Sequence, residues 1–106
     1  MNEVNFIGNL TKDAEFIKSG DKEFMVLRMA VNHRSRDNHE ETIYIDATCF
    51  GYLAEYGKNV SLAKGDKVSV KGRLQERTWT DANQNKRSSF CVLANNLYKC
   101  QVMSRM

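Results

Sequence analysis

The chain has 106 residues, 42% of them hydrophobic, which suits one domain over residues 1–106 with a single modest core. No apolar run approaches the ~20 residues of a membrane span, and Met1–Leu10 lacks the basic start and unbroken apolar stretch of a secretory signal, so a cytoplasmic, non-membrane protein is expected. Three cysteines without C-x-x-C spacing exclude a disulfide framework, and a net charge of only +3 means that an anionic partner must be read from where charge sits.

Proline and internal repeats are absent. Glu3–Leu10 reads as a first strand, with Val4 and Phe6 on one side and Gly8 where a strand would bulge or bend. Lys12 to Ile17 is expected to continue it around that bend, up to a turn at Ser19-Gly20-Asp21. Phe24–Val31 is the second strand: Met25, Leu27, Met29 and Val31 make an apolar face, with Arg28 opposite among Phe24, Val26 and Ala30. Asn32 to Glu41 is polar throughout and reads as a long, mobile loop.

Thr42–Phe50 is the clearest alternation. Ile43, Ile45, Ala47 and Cys49 form one face and Tyr44, Asp46, Thr48 and Phe50 the other. Tyr44 and Phe50 are aromatics on the face that packing does not need, about 20 Å apart at strand rise. The spacing of Leu53, Tyr56, Val60 and Ala63 predicts a helix over Tyr52–Lys64, weakened by Gly57 and stopped at Lys64-Gly65. A strand through Val68–Thr80, the turn Asp81–Asn85 and a returning strand at Ser88–Ala94 follow; Asn95-Asn96 should break the last, leaving Leu97–Met103 as a short extension.

Val68–Arg87 holds five Lys/Arg and two Asp/Glu, whereas the rest of the chain holds eleven of each, so the whole net charge sits in this hairpin. Lys71, Arg73, Gln75, Arg77 and Trp79 fall on one face, with Val68, Val70 and Leu74 on the other. Interleaved cations and an aromatic ring suit a single-stranded nucleic acid, whose phosphates attract cations and whose bases offer flat faces for stacking. The plain alternative is a solvated edge hairpin. Three strands, a helix, then two strands is the order of an all-β oligonucleotide/oligosaccharide-binding (OB) fold, a five-stranded Greek-key barrel with one helix between strands 3 and 4.

Four motifs resemble the bacterial and organellar single-stranded DNA-binding proteins. They are Asn5-Phe6-Ile7-Gly8-Asn9-Leu10 with Asp13-Ala14-Glu15; Thr42-Ile43-Tyr44 through Cys49-Phe50-Gly51 with Leu53-Ala54-Glu55; Lys64-Gly65-Asp66-Lys67-Val68 with Lys71-Gly72-Arg73-Leu74; and Arg77-Thr78-Trp79-Thr80-Asp81. The resemblance implies a homotetramer, or at least a homodimer, that binds single-stranded DNA without strong sequence preference. It also implies that Tyr44, Phe50 and Trp79 stack on bases. Ala14 departs from a usual proline, Ser35 from a stacking aromatic and Tyr44 from a frequent tryptophan. The glycine-rich linker and acidic tip with which many members recruit replication and repair enzymes have no counterpart in Val102–Met106.

The candidate site is therefore Tyr44, Phe50 and Trp79 for bases, with Lys12, Arg28, Arg34, Arg36, Lys71, Arg73, Arg77, Lys86 and Arg87 for phosphates. Asp46 on the same face would either repel phosphate or orient Arg28. Cys49 reads as a packed small hydrophobe and His33 and His39 as loop residues, so no metal or cofactor is expected. No nucleophile with a base and no grouped carboxylates are visible, which argues against an enzyme. Two other readings within the fold are an accessory protein like primosomal replication protein N, against which the Trp79 motif argues, and an RNA-binding module.

Overall fold

A computed structural model describes residues 1–100. The elements are β1 (Val4–Leu10), β2 (Glu15–Ser19), β3 (Lys22–Arg34), β4 (Glu40–Phe50), α1 (Tyr52–Asn59), β5 (Lys67–Thr80) and β6 (Lys86–Lys99). The strands form one sheet in the order β1-β5-β6-β4-β3-β2, closed by pairing of β1 with β3. All pairs are antiparallel except β4 with β6, which run parallel at Asp46–Thr48 against Cys91–Leu93. This is the expected OB barrel, with the helix leading from β4 into β5.

Alternation produces the core. Met25, Leu27 and Met29 on β3, Ala47 and Cys49 on β4, Val68 and Val70 on β5 and Val92 on β6 are fully buried and pack together. The α1 residues Leu53 and Ala54 join them at one end of the barrel. Burial pushes the Cys49 thiol up to about 12.

The strand count is six rather than five because the first strand is interrupted. Thr11–Ala14 leave the ladder: the Thr11 N–H donates to the Arg28 carbonyl, and the Ala14 N–H to the Leu62 carbonyl beyond the helix. Asp13 accepts from the Lys64 N–H at 2.8 Å. The chain resumes as β2 against β3, so β1 and β2 together occupy the place of one bent strand. Gly8 lies just before the crossing from β5 to β3, and a Cβ there would sit 2.5 Å from the Ala30 carbonyl oxygen.

Three other segments differ from expectation. Asn32 to Glu41 is not an open loop, because Asn32, His33 and Arg34 pair with Thr42, Glu41 and Glu40. Only the turn between them is unpaired, and it is closed by the Ser35 N–H donating to the His39 carbonyl. Both faces are polar there, so alternation carries no signal. The helix ends at Asn59 rather than Lys64, since Ser61 takes a left-handed φ of 53° and the chain turns to bury Leu62. The last strand runs unbroken through Asn95-Asn96, with Lys71 opposite Asn96 and Gly72 opposite Ala94. One extra residue in β6 is absorbed as a bulge, and a Cβ at Gly72 would overlap the Leu93 carbonyl oxygen. Leu97–Lys99 therefore belongs to β6, Cys100 follows it with its N–H donating to the Lys67 carbonyl, and the rest of the expected extension, 101–103, lies outside the described residues.

Candidate nucleic-acid interface

Register defines one outward surface. On β3 and β4 the pairs Phe24–Phe50, Val26–Thr48, Arg28–Asp46 and Ala30–Tyr44 all point away from the core. The parallel pairing then sets Asp46 beside Cys91 and Thr48 beside Leu93 on β6. Across β6, Leu93, Cys91, Ser89 and Arg87 stand opposite Arg73, Gln75, Arg77 and Trp79 of β5. The surface thus runs continuously from β2 over β3, β4 and β6 to the end of β5, about five strands wide.

The rings stand along it. Phe50 is 48% exposed, Tyr44 60% and Trp79 47%. Phe50 is backed by Phe24, with centroids 5.3 Å apart and planes tilted by 38°, so together they form a wider platform. A shallow groove joins them to Ile17, Gln75 and Arg77. Tyr44 stands apart from that groove, with the Arg28 guanidinium carbon 5.8 Å from its ring centre. Trp79 lines a separate open groove at the hairpin tip with Thr78, Thr80, Lys86 and Arg87. Phe24, Ile17 and Gln75 were not among the sequence candidates. Phe24 shares its parity with Arg28, and that alternation was the available signal.

The cations divide by their partners. Lys12 pairs with Glu15 at 3.3 Å, Arg28 with Asp46 at 3.0 Å and Arg87 with Asp81 at 2.9 Å. Arg34 donates to Asn38 at 2.9 Å and lies 3.8 Å from Glu40, so it braces its own turn. Lys71 pairs with Glu3 at 2.7 Å, and this hydrogen bond and charge raise its ammonium above the ordinary lysine range. Arg36, Arg73, Arg77 and Lys86 form no ion pair among the described residues. Arg73 and Arg77 therefore present uncommitted charge on the ring-bearing surface.

Two candidates sit elsewhere, and a third lies at the hairpin tip. Lys71 shares a shallow pocket with Asn5, Ser69, Asn96 and Tyr98 on the β1 side. Lys86 pairs with Thr80 one step from the Trp79–Arg87 pair, so register turns Lys86 and Arg87 to opposite faces of the strand, yet both line the tip groove with Trp79. Arg36 stands on the β3–β4 turn. The β5–β6 turn is built by Asp81, whose carboxylate accepts from the Asn83 and Asn85 backbone N–H groups and from Arg87. The Arg87 hydrogen bond, then those backbone donors, hold the Asp81 carboxyl below the usual carboxylate range.

Comparison with known proteins matches this architecture. A Deinococcus radiodurans relative named single-stranded DNA-binding protein is 43% identical over 100 residues, covering 89% of this chain and 32% of its own length. A Wolinella succinogenes relative of the same name is 35% identical over 102 residues, covering 91% of this chain and 62% of its own. The chain thus spans about a third to three fifths of these two relatives. Single-stranded DNA-binding protein 1 of Clostridium acetobutylicum is 34% identical, with 82% of each chain covered. In fold, the crystal structure of the small single-stranded DNA-binding protein from Streptomyces coelicolor superposes with a TM-score of 0.74 over 92% of this chain and 93% of that one, at 24% identity. The profile of the single-strand binding protein family matches residues 1–100, and the chain belongs to that family.

Proposed function

We propose that this chain is a sequence-tolerant coat for single-stranded DNA, acting without catalysis in replication, recombination or repair. The observation that carries the reading is the single outward surface on which Phe24–Phe50, Tyr44 and Trp79 stand with the uncommitted Arg73 and Arg77. Rings spaced along a strand take separate bases whatever their identity, because every base has a π-face, while arginines between them take phosphates. Bases in a duplex are already stacked and offer no such faces.

Residues 1–106 act in this reading as one binding domain in the cytoplasm, assembled as a homotetramer or homodimer. Support for assembly comes from β1. Only Asn9 and Leu10 pair with β3, so the edge of Val4–Gly8 opposite β5 has no partner among the described residues. Beside it the exposed Ile7 lines up through Ser69 with the exposed Tyr98. An open strand edge next to apolar side chains suits a second copy of the chain.

Fluorescence anisotropy with labelled oligothymidine, against duplex DNA of equal length, tests the function. The single strand is expected to bind and the duplex to bind far more weakly. Two to four uncommitted cations imply a shallow salt slope, between about −1.4 and −2.8, at ~0.7 per neutralised phosphate of a single strand. Equal binding of duplex contradicts the reading, and a marked preference for oligouridine moves it to an RNA-binding module.

A further inference from the structure

Asp46 is a carboxylate in the middle of a surface meant for a polyanion. It stands on β4 between Tyr44 and the Phe24–Phe50 platform, so a strand passing from one ring to the other crosses it. Its cross-strand partner is Arg28, placed directly opposite by backbone register rather than by a chance rotamer. The two side chains meet at 3.0 Å, and the same guanidinium leans on the Tyr44 ring. The neighbouring outward positions, Val26, Ala30, Thr48 and Cys91, carry no charge. Arg28 and Asp46 are thus each other's only ionic partner among the described residues.

We propose that Asp46 is an affinity-setting residue: it occupies Arg28, opposes phosphate at the centre of the face, and makes this stretch contact bases instead of backbone. The proposal rests on the single-stranded DNA reading and deepens it. A phosphate approaching Arg28 must share the guanidinium with a carboxylate already bound to it, so little counterion release is gained there. Held in place, the guanidinium instead extends the Tyr44 ring as a flat, stackable surface. The strand is gripped at Phe50 and at Arg73–Arg77–Trp79 and rests lightly between them, which favours release and sliding over tight retention.

The test compares wild type, Asp46→Asn, Arg28→Ala and the double variant, each titrated with labelled oligothymidine over a series of salt concentrations after a thermal melt confirms folding. Asp46→Asn frees Arg28 for a phosphate. It is expected to tighten binding about 2- to 5-fold at low salt, in line with one exposed charge interaction, and to steepen the salt slope by about 0.7. Arg28→Ala alone exposes Asp46 and weakens binding with little change in slope. The double variant, neutral at both positions, is expected to keep the wild-type slope and to bind between Arg28→Ala and wild type; should Asp46→Asn fold poorly, a double variant that binds no more tightly than Arg28→Ala overturns the proposal. If wild type binds oligothymidine and Asp46→Asn matches it in both affinity and slope, the proposal is overturned while the coat reading stands. If wild type does not bind, both fall.

Discussion

Replacing Trp79 by alanine is expected to weaken oligothymidine binding by about 1–3 kcal/mol, the usual loss when one stacking ring is removed. The ring is half exposed at the far end of β5, outside the buried cluster, and borders an open groove rather than a packed neighbour. Thermal stability should therefore change little, because the turn beneath it is held by Asp81 and its backbone donors. Phe90 supplies the matched control. It is rather more exposed, at 57%, on the same hairpin and pairs with Glu76, which by register puts it on the opposite face of the strand from Trp79. Phe90→Ala should leave affinity near wild type. Anisotropy titrations of the two variants separate a directed stacking face from general stickiness of the hairpin. Equal losses from both would remove the face assignment.

Leu27→Ala is expected to act the other way, costing about 2–5 kcal/mol of folding stability with little effect on binding while the protein stays folded. Leu27 is 1% exposed and lies between Met25 and Met29 on the inward row of β3. Its cross-strand partner is Ala47, which is too small to fill the space left behind. A urea melt monitored by circular dichroism measures the loss. A cost well under 1 kcal/mol would mean that the core does not pack around this row. Trp79 and Leu27 together test the division that organises the molecule, with alternate residues serving either the core or the ligand.

That division was legible in the chain wherever the two faces of a strand differ in polarity. Met25–Met29 against Phe24–Arg28, and Ala47–Cys49 against Tyr44–Phe50, keep in the structure the sides their alternation predicts. The Val68–Val70 and Arg73–Trp79 rows of the charged strand do the same, until both faces of the hairpin become exposed beyond Leu74, whereas Lys71, before the bulge, joins the β1 side. Asn32–Glu41 was not legible, because a ladder with polar residues on both faces looks like a loop. The helix end was misplaced because Val60 and Ala63 keep helical spacing while serving the turn that buries Leu62.

The outward placement of the three candidate rings was legible in the sequence, but the pairing of the candidate charges was not. Counting cations in Val68–Arg87 says nothing about their neighbours, and the neighbours decide which of them are available. Glu3 meets Lys71 only because β1 lies against β5, and Asp46 meets Arg28 only through the β3–β4 register. The backing of Phe50 by Phe24 likewise depends on which residues the hairpin sets opposite. Local pattern assigns a side chain to a face, while long-range register assigns its partner.

The most direct measurement uses the single tryptophan of the chain. Intrinsic Trp79 fluorescence is followed during titration with oligothymidine and with duplex DNA, first at low and then at high salt. Strong quenching by the single strand alone, at concentrations that rise with salt, is the predicted result. No quenching despite binding, or equal quenching by duplex, would contradict the account and take the ring out of the site.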